Sequence, residues 1–143
     1  MADILQDFPI AASAARVYEA VSEPRLLDEW WTLRSSGRAA VGATYDLDFG
    51  PGYHWNAVVT KAAPGTAFEL RLTSADADWT DSLVGFELEP AGETTRVRFY
   101  HRGWPSANDH YRTSCHCWAL YLRILRRHVE FGETVPYDDR LNV

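Results

Sequence analysis

"SANDHYRTSCHCWALYLRILRRHVEF", residues Ser106–Phe131, is the stretch around which the rest of the chain is read. At about 100° per residue, Tyr111, Cys115, Trp118, Leu122, Leu125 and Val129 fall within about 40° of one line. That spacing predicts a long helix with a buried stripe. Ser106 followed by Asp109 resembles a capping box with the shorter acid, Gly132 follows the last periodic residue, and Pro136 lies beyond it. A helix of this length runs roughly 35 Å, enough to cross a small domain.

Upstream, the period changes. "ILQDFPI" (Ile4–Ile10) begins the chain and contains Pro9, which predicts an edge strand. Ser13 can cap a short helix carrying Ala14, Val17, Tyr18 and Val21 on one face. A second helix restarts at Ser22 with Pro24 in its first turn, and the pair ends at Trp30 and Trp31. From Gly37 onward, turn residues separate runs of strand length: Tyr45, Leu47, Phe49; Trp55, Ala57, Val59; Phe68, Leu70, Leu72; Val84, Phe86, Leu88; Val97, Phe99, His101. The alternate positions are mostly charged, among them Asp46, Glu69, Arg71, Glu87, Arg96 and Arg98. The expectation is a one-sided antiparallel sheet whose apolar face is covered by the long helix. The tail "ETVPYDDRLNV" has no period and is expected along the surface.

At 143 residues, with 46% hydrophobic and 24% charged residues, the chain reads as one globular domain spanning 1–143. A formal charge of -6 lacks the concentrated basic face that nucleic acid requires. No apolar run approaches the roughly 18 residues of a membrane span, and the N-terminus has no signal pattern, so a soluble cytoplasmic protein is expected. Cys115 and Cys117, two apart on a helix, diverge by roughly 160° and cannot bridge.

The same geometry bears on metals. In "CHC" (Cys115–Cys117) the three side chains point in different directions, whereas helical ligands need i, i+3 or i+4 spacing, so no metal is expected there. Asp76, Asp78 and Asp81 lack the glycine and terminal glutamate of a calcium loop and read as a solvated hairpin tip. No nucleophile elbow or phosphate loop is present, and Glu29, Asp46, Asp48 and His54 have no spacing that selects them as acid or base.

His101 lies in phase with Val97 and Phe99 and should point at the long helix. Two roles fit it: a core histidine with its hydrogen bonds satisfied, or a polar anchor for a ligand oxygen in an apolar cavity. The chain has 6 tryptophans. They either fill the gap between helix and curved sheet or line a cavity there.

The element order, with one long C-terminal helix, resembles the helix-grip fold of the START-like (SRPBCC) superfamily, an α+β architecture. "ETTRVRFYHRGWP" (Glu93–Pro105) is similar to the last-strand motif of the activator-of-heat-shock-protein-ATPase homologue family, which ends in His-x-Gly-aromatic-Pro. "CWALYLRILRRHVEFGE" (Cys117–Glu133) resembles that family's Trp-bearing helix, with Cys117 where Gly is commoner. "VYEAVSEPRLLDEWW" resembles its N-terminal segment. The resemblance implies a hydrophobic cavity between sheet and helix.

The expected function is therefore binding of a small, largely apolar or lipid-like molecule without cofactor. His101, Trp55, Trp118, Tyr45, Phe68, Phe86, Phe99 and Trp31 are the expected lining, with no catalytic residue assigned. Two alternatives stay open: a chaperone-associated or stress-related interaction module, and a cavity enzyme of cyclase or hydrolase type. A second apolar stripe, containing Leu120, Tyr121 and Ile124, lies on the helix's back; either the N-terminal strand or the tail covers it, or its expected partner is a second copy of the chain.

Overall fold

In the computed structural model, which describes Met1–Val143, the chain runs β1 (Ala2–Ile10), α1 (Ala14–Ser22), α2 (Pro24–Leu27), β2 (Arg34–Ser36), β3 (Thr44–Asp48), β4 (His54–Ala63), β5 (Ala67–Ser74), β6 (Leu83–Ala91), β7 (Thr94–Trp104) and α3 (Asp109–Phe131). A short 3-10 helix, Tyr137–Asn142, closes it. All neighbouring strands are antiparallel, in the order β1-β7-β6-β5-β4-β3-β2, and α3 lies across the inner face. This is the helix-grip α+β arrangement. No helix is long and apolar enough to cross a membrane.

Several boundaries differ from the sequence reading. The cap of α3 is Asn108, not Ser106: its side chain accepts from the Tyr111 amide at 2.9 Å, which satisfies one of the free N–H groups of the first turn. Gly132 ends the helix in the left-handed region at φ 69°, where a side chain would be strained. Ser22 ends α1 instead of starting α2, because its hydroxyl donates back to the Tyr18 carbonyl at 2.6 Å. The three-residue β2 was not expected at all. It is the other sheet edge, and its shortness limits what could add to it.

The long edge is blocked differently. At the two ends of β1, α3 supplies partners: the Tyr111 hydroxyl donates to the Asp3 carbonyl at 2.7 Å, and the Glu130 carboxylate accepts from the amide of Ala11, just past the strand, at 3.0 Å. Of the α3 stripe, Trp118, Leu122, Leu125 and Val129 are buried, while Tyr111 and Cys115 at its start are half-buried.

The outer face of the sheet is not uniformly wet. Tyr100 and Glu69 lie on it, yet they are only 2% and 5% exposed. Glu69, Gly85 and Tyr100 sit side by side across β5, β6 and β7. With no side chain on Gly85, the Tyr100 ring lies flat across it and its hydroxyl reaches the Glu69 carboxylate. Thr60 donates to the same carboxylate at 2.7 Å, Lys61 stands 3.7 Å away, and the Arg102 guanidinium covers the tyrosine ring at 4.2 Å. The expectation of a solvated Glu69 is thereby corrected: its charge is sheltered, but it is fully partnered.

Candidate functional site

The site is built on the end of β7, where a register shift against β1 coincides with Gly103 at φ 90°. Regular alternation would put residues 101 and 104 on opposite faces of the sheet. The extra residue at the bulge instead turns both His101 and Trp104 inward, and both are fully buried. This gives the His-x-Gly-aromatic spacing a physical reason: the glycine supplies the conformation that puts the aromatic ring beside the histidine.

Around this pair five further rings from four segments converge. Trp118 of α3 stands 5.9 Å from His101 edge-on and 4.5 Å from Phe99. Trp31, after α2, lies 5.3 Å from Trp118 and 5.4 Å from Phe49, which follows β3. Trp79, from the loop between β5 and β6, packs against both, edge-on to His101 at 4.9 Å and 6.3 Å from Trp104. His110, in the first turn of α3, closes the end at 5.0 Å from Trp104.

The polar groups inside form one chain. The indole N–H of Trp118 donates to Nδ1 of His101 at 3.1 Å, so the neutral ring carries its proton on Nε2. That nitrogen lies 2.8 Å from the Ser82 hydroxyl, which donates onward to the Trp79 carbonyl at 2.6 Å. Burial, with a smaller contribution from the nearby His110, pushes the His101 pKa down to about 3. His101 is thus a neutral core residue with both nitrogens engaged, and no lone pair or proton is left over for a ligand.

Two other donors have no such partner. The indole nitrogens of Trp79 and Trp104 are buried without any hydrogen bond.

The expected lining residues separate into groups. Trp31, Phe86, Phe99, His101 and Trp118 belong to the ring cluster, with Phe86 reached through Phe99 at 5.3 Å. Tyr45 and Phe68 pack 5.7 Å apart with Tyr18 of α1, and the Tyr45 hydroxyl donates to the Ser22 carbonyl at 2.6 Å. Trp55 is half-buried at the rim, against the exposed Tyr53. Trp79, Trp104 and Phe49 were not among the expected lining. The Gly103 bulge could have flagged Trp104, but nothing in a polar loop marked Trp79 as inserted.

The space between sheet and helix is filled by these rings. The distinct surface clefts lie elsewhere: on the outer face beside Tyr100 and Arg102, along the β1–α3 rim, and between α3 and the C-terminal segment. The loop bearing Trp79 is tied to α3 by Asp78, whose carboxylate meets Nδ1 of His110 at 2.8 Å and is held well below the usual carboxylate range by that bond and by Asn108. Asp76, Asp78 and His110 place three ligand-type atoms within 4.8 Å of one another, whereas Asp81 turns away to Arg71.

The back of α3 is not free. Val135 and the 3-10 helix lie over it, so Ile124 is buried and Tyr121 half-buried, with its pKa pushed up to about 12 by burial and by Tyr137. Of the covers open to the stripe of Leu120, Tyr121 and Ile124, the tail is the one that lies on it, and it leaves less of the stripe for a second copy of the chain. Leu120 remains half-buried, and Phe131 further along is 64% exposed.

The comparisons place this architecture among known proteins. A family described as Activator of Hsp90 ATPase homolog 1-like protein matches residues 11–130. The Aha1 dimer from Colwellia psychrerythraea, solved in solution, is 28% identical over 93% of this chain and 99% of its own, with a TM-score of 0.84. Protein MLL2253 from Mesorhizobium loti is 19% identical over 92% of this chain and 99% of its own, with a TM-score of 0.80. CalU16 from Micromonospora echinospora is 17% identical over 98% and 84%, with a TM-score of 0.75. At those two identities the likeness shows the fold alone. No curated protein matches the sequence.

Proposed function

The chain belongs to the Activator of Hsp90 ATPase homolog 1-like family, and we propose that it binds a small, largely apolar molecule among the rings of the aromatic compartment between the sheet and α3, which part to admit it. The reading takes residues 1–143 as one START-like domain. The observation that carries it is the pair of buried, unpartnered indole donors, Trp79 and Trp104, whose rings are 6.3 Å apart. A buried N–H without an acceptor costs about 1–3 kcal/mol. A ligand with an apolar body and one acceptor oxygen would recover that energy and take its affinity from ring contact. His101 supports the site without touching the ligand: it fixes Trp118 through Nδ1 and the Trp79 loop through Ser82.

Native mass spectrometry of gently purified protein, before and after organic extraction, tests this. An extra mass of a few hundred daltons that extraction removes supports the reading. A clean apo mass, together with tryptophan emission unchanged by apolar probes, sinks it.

A second reading is self-association, favoured by the dimeric state of the Colwellia Aha1 structure. With Ile124 covered, the α3 surface left for a second copy is Leu120, with Cys117 beside it and Phe131 at the helix end. Sedimentation equilibrium of the wild type and Leu120→Glu tests it. A monomeric wild type at high concentration removes it.

A further inference from the structure

The chain after α3 is docked by two side chains that reach across the molecule. The Tyr137 hydroxyl donates to the Phe49 carbonyl at 2.9 Å. Arg140, 5% exposed, donates to the carbonyls of Asp28 at 2.5 Å, Thr32 at 3.0 Å and Val135 at 3.2 Å. Its guanidinium lies 5.2 Å from the Tyr137 ring.

Two things about this docking are unusual. Arg140 forms no ion pair with any carboxylate, and Asp28, the nearest bonded residue with one, spends its Oδ1 on the Thr32 and Ser35 hydroxyls at 2.7 and 2.8 Å. A buried cation bonded only to backbone carbonyls bears a desolvation cost, which the Asp28 and Glu29 carboxylates, too far to pair with it, offset only in part. The second feature is where the bonds land. Asp28 and Thr32 bracket Trp30 and Trp31, and Phe49 is the ring that meets Trp31 and Trp79. The segment therefore clamps, from outside, the two loops that supply one wall of the aromatic compartment.

We propose that the C-terminal segment Glu133–Val143 is a latch, fastened by Arg140 and Tyr137, whose release frees the Trp31 and Phe49 loops and admits a molecule to the compartment. The proposal rests on the ligand-binding reading above for what is admitted, but not for the latch itself. Release is a local event. The acceptors are loop carbonyls, the segment begins past the left-handed Gly132, Leu141 and Val143 remain exposed, and the apolar hold is confined to Val135 and the 3-10 helix against Ile124 and Tyr121 of α3. The Arg127–Glu133 pair, with two bonds of 2.7 Å, anchors the segment's start and sets the pivot beyond it.

Hydrogen exchange on the full chain, comparing wild type with Arg140→Met and with the milder Tyr137→Phe, tests the latch. The amides of Trp30, Trp31 and Thr32, which bond the Leu27 carbonyl, and Leu33, which bonds Asp48, report on the first loop, and Phe49 reports on the second. A latch predicts that these amides exchange about tenfold faster in Arg140→Met, less so in Tyr137→Phe, with β5–β7 unchanged. Equal acceleration throughout the sheet, or none at these amides, overturns it.

Stopped-flow mixing with 1-anilinonaphthalene-8-sulfonate, an anionic dye with an apolar aromatic body, separates the two readings. Faster uptake by Arg140→Met supports the latch as a gate. Uptake at the wild-type rate overturns the gate and leaves ligand binding standing. Local acceleration with no uptake by either protein supports the latch and overturns the ligand-binding reading.

Discussion

The indole N–H of Trp118 on α3 donates to Nδ1 of His101 on β7 at 3.1 Å, the one side-chain hydrogen bond joining the helix to the strand beneath it inside the ring cluster. It decides the tautomer of His101, and the tautomer decides that Ser82 and the Trp79 loop are held in turn. Helix, strand and loop are registered through one imidazole.

Acidification should therefore destabilise the fold through His101. Its folded pKa of about 3 lies below the ordinary value of 6.5, so the unfolded chain takes up a proton before the folded one does. Stability contributed by the neutral ring is intact above pH 6.5 and is lost as pH falls from there toward 3. At pH 5 the loss should reach about 2 kcal/mol. Urea unfolding at pH 7 and pH 5 checks it: His101→Gln should be less stable at pH 7 and show a shallower decline on acidification.

Trp118→Phe keeps an aromatic ring but removes the donor. It should cost roughly 1–3 kcal/mol, because Nδ1 is left buried and unpaired. Trp118→Ala adds a cavity and should cost about 3–5 kcal/mol. Chemical denaturation measures both, and a near-neutral Trp118→Phe would mean that the bond to His101 is dispensable.

Gly103→Ala tests the bulge. At φ 90° an alanine is strained, and the backbone rearrangement that relieves it would carry Trp104 away from the His101 side. A loss of about 1–3 kcal/mol is expected, with altered near-ultraviolet circular dichroism from the displaced indole. Unchanged stability and spectrum would show that the bulge does not depend on glycine.

On the outer face, Gly85→Ala places a methyl 2.4 Å from the Tyr100 ring, so the ring must lift off Glu69. Overpacking of this kind costs about 1–3 kcal/mol. Because the clash is with one side chain, Gly85→Ala should cost much less in a Tyr100→Ala background. A double-mutant cycle measures the coupling, and additive losses would contradict it.

How far the sequence reached depended on the range of the interactions. The strand pattern of Val97, Phe99 and His101 and the helical spacing of Trp118, Leu122, Leu125 and Val129 are local periodicities, and the burial follows them. The inward Trp104 needed the Gly103 bulge, which shifts the alternation by one residue. Trp79 had no such signal: its loop is polar, and only the meeting of β6, β7 and α3 makes a slot for its ring. Trp55 and Tyr45 carried the right alternation, yet they lie away from the cluster, because alternation gives a face and not a position along it.

The order of the elements and the inner face of the sheet were determined by the sequence alone, because they rest on periods of 2 and 3.6 residues and on turn residues that act over a few positions; the family was legible there through the resemblance of three segments to its motifs. Tertiary structure decided what those rules cannot reach. Glu69 is buried because Gly85 and Tyr100 are its neighbours across two strands. Arg140 is buried because the carbonyl of Thr32, 108 residues earlier, receives it. The back of α3 is covered because an aperiodic tail folds over it. Each is a contact between segments far apart in the sequence, so its free energy exists only after the chain has closed on itself.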